Sequence, residues 1–336
     1  IEAKWIGNKT NMAKLLLAGS FHPDISTLLD ERPDVDVTTL VEPTEQELAD
    51  AIPGFDGLVI RTTRFGAAAC AKADKLKVIS RHGVGYDNID VAAATAHGLP
   101  VAVVGEANSN AVCEHAFMLM LATVKDALPL DNAVRTQDYS RRNAMTAGEV
   151  SGKTILIVGF GRIGTRMARR CAAFDMKVIV ADPYVPRRVI QGHGYEYVED
   201  FRDALDRADI LTMHRPGNHD GSPVMTGQEF SRMRKGAVLI NTARGTLLDE
   251  DALYQALSNG PLAAAGLDVT RDEPPAADLP LLQLDNILLS PHIAGVTREA
   301  FQAMGLQAVQ NCLDAFDGKL DDYYLINPEV MQTGND

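Results

Sequence analysis

The stretch ILIVGFGRIGTRMA, Ile155 to Ala168, decides the fold. Four apolar residues run into three glycines spaced G-x-G-x-x-G, at Gly159, Gly161 and Gly164. Glycine weakens strands and helices alike, so its placement here needs a reason. Residues 155–159 have the makings of a buried strand, and Arg162 onward those of a helix. Gly159 then permits a tight turn, Gly161 lets a pyrophosphate approach the main chain, and Gly164 lets the helix pack close on its strand. The helix N-terminus offers N–H groups and the positive end of its dipole to phosphates. An acidic residue should follow about 20 residues on. Asp182, in VIVADPY, lies 18 residues after Gly164. Its carboxylate suits ribose hydroxyls and repels a 2′-phosphate, which favours NAD over NADP. Arg187 and Arg188 follow closely and would tolerate a 2′-phosphate, so the strictness of that choice stays open.

Outward from this turn, short apolar runs alternate with helical segments. Before it, KLLLAG (14–19), VDVTTL (35–40), GLVI (57–60), KVIS (77–80) and PVAVV (100–104) predict strands. After it come KVIVAD (177–182), DILTMH (209–214), AVLIN (237–241), AAAGLDV (263–269) and NILLS (286–290). Their Val, Ile and Leu content fits sheets covered on both faces. Helices are expected at 44–52, where Thr44 and Glu47 form a candidate capping box, and at 109–128, 162–173, 226–234, 249–259 and 297–316. Such alternation implies right-handed crossovers and parallel sheets. The fold class is therefore α/β, with two Rossmann-like, doubly wound parallel-sheet domains. The last helix follows the second series after its strands have run out. It is expected to return to the first domain and make that domain discontinuous. The expected boundaries are 12–108 with 296–336, and 109–295. Residues 1–11, IEAKWIGNKTN, have no periodicity and precede Met12, as an expression remnant or a native extension would.

Composition narrows the function classes. The chain has 336 residues, 46% hydrophobic and 23% charged, which is ordinary for a soluble globular protein of about two domains. Forty-five acidic against 32 basic residues give a formal net charge of −13. That surface repels nucleic acid and anionic membrane, so neither is an expected partner. No apolar run is long enough for a membrane span and no signal-peptide pattern is present. Cys70, Cys113, Cys171 and Cys312 lie far apart, without zinc-ligand spacing. They read as reduced, buried thiols of a cytoplasmic protein, and no metal site is expected.

Three later stretches place charge where a parallel sheet offers its carboxyl edge, the edge on which open α/β sheets bind ligands. LINTARGTLLDE sets Arg244 just after a strand, GLDVTRDEPP sets Glu273 after another, and ILLSPHIAG sets His292 after a third. Each has an ordinary alternative: a surface charge, a loop acid before prolines, a cap at a strand end. Taken with RHGVGYDNID (81–90), VGFGRIG (158–164), LINTARG (239–245), GLDV with DEP (266–274) and SPHIAG (290–295), they give the chain a clear likeness. From roughly Lys14 to Leu325 it resembles the D-isomer-specific 2-hydroxyacid dehydrogenases. That family includes phosphoglycerate dehydrogenase and glyoxylate/hydroxypyruvate reductase.

The resemblance implies a catalytic trio of Arg244, Glu273 and His292. Hydride reaches or leaves C2 of the acid while a proton reaches or leaves its oxygen. An imidazole suits the proton step because its pKa lies near working pH. Glu273 would bond the far ring nitrogen and favour imidazolium. Arg244 would bind the carboxylate and polarise the C2 oxygen through its planar fork of donors. No metal is required, since imidazolium and guanidinium supply the electrophile. The likeness also makes the first domain a flavodoxin-like substrate domain and the second a Rossmann domain for NAD, with a cleft that closes on linking helices. The N–H groups of Val84 and Gly85 would receive the substrate carboxylate. Arg61 and Arg81 would touch a distal group, with Arg64 and His82 as further candidates. Arg162 and Ile163 would lie beside the pyrophosphate, and Thr242 and Ala243 near the nicotinamide ribose. Asp268 would face the nicotinamide amide and Val112 the ring. Arg215, in MHRP (213–216), departs from the apolar residue the pattern expects before that proline. The apolar AFMLMLATV (116–124) is expected in the core or at a two-fold homodimer interface. The implied activity is that of an NAD-dependent D-2-hydroxyacid dehydrogenase acting as a 2-oxo acid reductase on a small-molecule substrate. Two rivals stand beside it. One is a phosphoglycerate dehydrogenase of short type, since the chain ends at Asp336. The other is an NAD-sensing binding protein like the corepressors that resemble this family.

Overall fold

The computed structural model describes residues 12–218 and 220–331, so the set-apart stretch 1–11 lies outside the described residues. The chain divides into two compact units. One runs to Asn108 and resumes at Thr297; the other is Ser109–Val296.

In the first unit, β1 (Ala13–Ala18), α1 (Ile25–Asp30), β2 (Val35–Leu40), α2 (Glu45–Ala51), β3 (Gly57–Ile60), α3 (Ala67–Lys72), β4 (Val78–Arg81), α4 (Val91–Ala96) and β5 (Val101–Ala102) alternate along the chain. The strands pair in the order β2-β1-β3-β4-β5, all parallel. The capping box at the start of α2 forms as the sequence expects. Glu47 N donates to Thr44 Oγ1 at 3.2 Å, and Thr44 N donates to the Glu47 carboxylate at 2.8 Å.

The second unit opens with α5 (Ser109–Val124) and α6 (Ala127–Arg135). The sequence suggests one helix over 109–128, but Asp126 takes a φ of 53° and breaks it. Pro129 supplies the reason. In a continued helix its ring would strike the Lys125 carbonyl, four residues back. In the first turn of α6 its missing N–H costs nothing. Then come β6 (Thr154–Val158), α7 (Arg162–Ala173), β7 (Lys177–Ala181), α8 (Arg187–Gly192), β8 (Glu196–Val198), β9 (Ile210–Met213), α9 (Gly227–Arg232), β10 (Ala237–Asn241), α10 (Glu250–Ser258), β11 (Leu262–Leu267) and β12 (Ile287–Leu289). Their sheet runs β12-β11-β10-β9-β6-β7-β8, again all parallel. The chain winds outward from β6 through β7 and β8, then returns and winds the other way from β9. The gap between β6 and β9 is thus a topological switch point, where sheets of this kind bind ligands. The sequence reading misses β8, a three-residue edge strand that begins at exposed Glu196 and is too short to show a period.

Strand periodicity sorts the core. Ile155 and Ile157 pack with Cys113, Leu119 and Met120 of α5 and with Met167 of α7. Leu156 and Val158 face the other layer, with Leu211, Leu239 and Leu253. The alternation is the period of two that side chains on a strand impose. In the apolar run of α5, Ala116, Leu119 and Met120 are core and Phe117, Leu121 and Val124 pack against it partly buried, while Met118 is 45% exposed.

The last helix, α11 (Arg298–Phe316), belongs to the first unit. Met304, Val309, Cys312 and Leu313 cover Leu15, Leu17, Val59 and Val78. The first domain is discontinuous because one face of its sheet needs this helix. Buried Asn311 anchors it, donating to Val103 O at 3.1 Å and to Ser80 Oγ at 3.3 Å. Asn311→Leu strands that carbonyl without its donor, and urea unfolding is expected to show a loss of about 1–3 kcal/mol.

Candidate active site

The glycine turn lies at the switch point. Gly159 has a φ of +101°, and a Cβ there would stand 2.4 Å from the His214 carbonyl oxygen, at the end of β9. A Cβ on Gly164 would stand 1.9 Å from the Gly159 carbonyl oxygen. A Cβ on Gly161 meets nothing within 4 Å. Two glycines are thus demanded by the protein's own packing. The third leaves bare backbone facing open space, at the N-cap of α7, where no side chain caps the helix. Arg162 and Ile163 form its first turn. A pyrophosphate fits this cradle.

Asp182 follows β7. Its carboxylate accepts from Phe160 N at 2.7 Å, Tyr184 N at 2.8 Å and Val185 N at 3.0 Å. It therefore fastens the glycine turn to the loop after β7. A carboxylate has about four acceptor sites, so one remains for a ribose hydroxyl. Arg187 and Arg188 are exposed at the start of α8. Arg215 bends back on its own loop, donating to Pro216 O and Asn218 Oδ1. At the end of β10, Thr242 is 7% exposed. Its buried Oγ1 has no hydrogen-bond partner among the described residues. An orphaned hydroxyl beside the switch point is a further fit to a bound polar cofactor. Val112 is packed within α5, 8% exposed.

Arg244, Glu273 and His292 leave the carboxyl ends of β10, β11 and β12, three adjacent strands. His292 Nδ1 lies 2.6 Å from Glu273 Oε2. The pair is half-exposed, at 50% and 37% of the side chains. A carboxylate on Nδ1 fixes the proton there and leaves Nε2 for other chemistry. His292 adopts a left-handed φ of 51°. Arg244 Nη1 donates to Ala243 O at 2.6 Å. Fully buried Asn241 shapes that loop, donating to Arg244 O and accepting from Ala243 N. A cavity of about 450 Å³ is lined by Glu273, His292, Asp268, Thr270, Leu289 and Ser290. Asp268 is 1% exposed. Its carboxylate accepts from Ser290 Oγ at 2.6 Å, Ile293 N at 2.9 Å and Ala294 N at 2.8 Å. Sequence reasoning passed over Asn241 and Ser290. Their polar types inside strand ends were the available signal.

The first unit carries its own cluster at the ends of β1, β3 and β4. Val84 and Gly85 sit half-buried in the turn after β4. Arg81 Nη1 donates to His82 O at 2.6 Å. The Arg61 guanidinium lies 5.4 Å from the Phe301 ring centre. Arg64 stands apart on the surface, 3.8 Å from Glu45. His82 is 2% exposed and packs edge-on to Phe21 and Phe301 at 5.3 and 5.0 Å. Burial, with Arg81 and Arg61 close by, pushes its pKa down to about 4.

An open dinucleotide cradle at a Rossmann switch point, with a carboxylate-braced imidazole on the same sheet edge, defines an α/β protein of the dinucleotide-binding class. Residues 117–294 match the family model of the D-isomer specific 2-hydroxyacid dehydrogenase, NAD binding domain. The chain belongs to that family. It is 37% identical over 322 residues to the D-3-phosphoglycerate dehydrogenase of Methanocaldococcus jannaschii, covering 96% of this chain and 61% of that protein. It thus spans less than two thirds of that relative's length. Among solved structures it is similar to a glyoxylate reductase from Paecilomyes thermophila, with a TM-score of 0.84 and 28% identity, covering 94% of this chain and 99% of that one. It is equally similar in fold to the D-lactate dehydrogenase of Aquifex aeolicus complexed with NAD and lactic acid, at TM-score 0.84 and 25% identity, covering 93% and 98%.

Three outcomes follow from these geometries. Gly164→Ala overpacks the turn and is expected to cost about 1–3 kcal/mol in urea unfolding. Gly161→Ala should change stability by under about 0.5 kcal/mol, yet weaken NADH binding measured by fluorescence titration. His82 binds its proton more weakly folded than unfolded. Stability is therefore complete above its ordinary pKa of 6.5 and falls as pH drops toward about 4, by roughly 3 kcal/mol in all. His82→Phe should flatten that acid-side loss in urea midpoints taken across the same pH range.

Proposed function

We propose that the chain is an NAD-dependent D-2-hydroxyacid dehydrogenase, reducing 2-oxo acids when supplied with NADH. The 2.6 Å pairing of His292 with Glu273 carries the reading. A bound nicotinamide supplies hydride at its C4. His292, held by Glu273, donates the proton to the substrate's C2 oxygen in reduction and takes it back in oxidation. Arg244 polarises that oxygen and binds the carboxylate. Val84 and Gly85 N–H groups receive the carboxylate, and Arg61 and Arg81 read a distal group. Arg162 and Ile163 take the pyrophosphate, Asp182 the ribose, Thr242 and Ala243 the nicotinamide ribose, Asp268 the amide and Val112 the ring. The domain roles follow, with 12–108 and 296–336 for substrate and 109–295 for NAD.

A second reading makes the substrate a phosphorylated 3-carbon acid. The relative named D-3-phosphoglycerate dehydrogenase supports it, as do the two arginines at the strand ends. Hydroxypyruvate is the unphosphorylated alternative. Exposed Met118, Leu128, Val134 and Met145 support a homodimer built on the segment that includes α5 and α6. Four free, buried cysteines support a cytoplasmic setting, and among the described residues no helix is long and apolar enough to cross a membrane.

A NADH-oxidation screen across glyoxylate, hydroxypyruvate, phosphohydroxypyruvate, pyruvate and branched 2-oxo acids tests the reading. Turnover of at least one is expected, and silence across the panel sinks it. On the best substrate, His292→Ala should lower kcat by about 10²–10⁴-fold while NADH still binds. A mutant as fast as the parent refutes the proton role.

A further inference from the structure

His115 lies on α5, far in sequence from the strand ends, and nothing above gives it a role. Its Nε2 is 2.8 Å from Ser290 Oγ. Ser290 donates that hydroxyl to Asp268 Oδ1 at 2.6 Å. Asp268 in turn holds the backbone on both sides of His292's side chain. Its carboxylate accepts from Ile293 N and Ala294 N, and its carbonyl accepts from His292 N at 2.8 Å. The imidazole of His115 is also 3.5 Å from Asp268 Oδ1. Ser290 has a single proton to give, and the short bond sends it to the carboxylate. His115 must then be the donor to Ser290 Oγ, through an N–H on Nε2. The chain of donation thus runs from the helix, through the hydroxyl, to the buried carboxylate.

We propose that His115 is a positioning residue for hydride-transfer chemistry: through Ser290 it orients the Asp268 carboxylate, which fixes the left-handed turn that carries His292. The inference rests on the proposed dehydrogenase reading for its kinetic consequence and on hydrogen-bond geometry for the rest. Reacting groups displaced by about 1 Å lose up to about a hundredfold in rate. A slack in this chain therefore shows in kcat.

The test uses the full chain and four variants. His115→Ala and Ser290→Ala cut the chain, their double mutant cuts it twice, and His115→Gln keeps a side-chain amide that can donate to Ser290. Expected are kcat losses of about ten- to a hundredfold in both single mutants, a double mutant no slower than the slower single, and recovery in His115→Gln. The acid limb of the kcat profile should shift in the alanine variants, which loss of stability alone does not do. Amide NMR resonances of Ile293 and Ala294, and the titration of the His292 ring, read the same geometry without turnover. They should move in His115→Ala and return in His115→Gln. Unmoved resonances, additive rate losses, or a deficit confined to thermal stability overturn the proposal. If the parent reduces no 2-oxo acid, the dehydrogenase reading fails while the NMR arm still decides the role of His115.

Discussion

The carbonyl oxygen of Gly159 occupies the space that a side chain at position 164 would need, 1.9 Å from where its Cβ would stand. That one close approach sets helix α7 against strand β6 and so fixes where the helix begins. The other side of the turn is closed by the His214 carbonyl, from the strand across the switch point. Wedged from two directions, the loop has one open side, and Gly161 faces it. Bare N–H groups at a helix start bind anions only if the backbone can be approached. Here the approach is kept clear by the residue type and held in place by its two neighbours.

Two buried carboxylates organise the rest of this edge. Asp182 gathers three amides around the glycine turn. Asp268 gathers two amides and a hydroxyl beneath His292. A hydrogen bond to a charged group contributes roughly 1.5–3 kcal/mol, against a desolvation penalty of several kcal/mol for the ion. The balance is modest in stability, but it is specific in shape. Each acid makes a loop adopt one conformation. Two residues that the sequence assigns to a cofactor are thus also residues that shape the loops of this edge.

The central strands were legible because both faces of each sheet are covered there, so Val, Ile and Leu run together, as in GLVI (57–60) and ILIV (155–158). The glycine turn was legible because its spacing answers a steric demand. The parts that escaped have physical reasons. Three-residue β8 sits at an edge and starts with exposed Glu196, so no period could form. The break before α6 depends on Pro129 acting four residues back, while the apolar pattern runs on past it. The bonds of Asp182 and Asp268 were invisible because spacing gives a residue's position along the chain and not where its lone pairs point. His115 sits in an apolar helix, where an imidazole reads as ordinary core. Only the partner across 175 residues gives it meaning.

The turn at His292 shows the balance between stability and chemistry most directly. A left-handed backbone at a residue with a Cβ costs roughly 1–2 kcal/mol. The contact with Glu273 returns little, because half-exposed polar pairs contribute about 0–1 kcal/mol. Glycine would suit the backbone better at this position. The strain is held by Asp268, whose bonds to Ile293 and Ala294 belong to the loop and not to the imidazole. The turn is therefore held by backbone bonds rather than by the imidazole. Its Nδ1 is held by a carboxylate, and the opposite nitrogen takes no part in holding the turn. A half-exposed group kept at a backbone cost and braced from behind is not placed there by the stability of the fold.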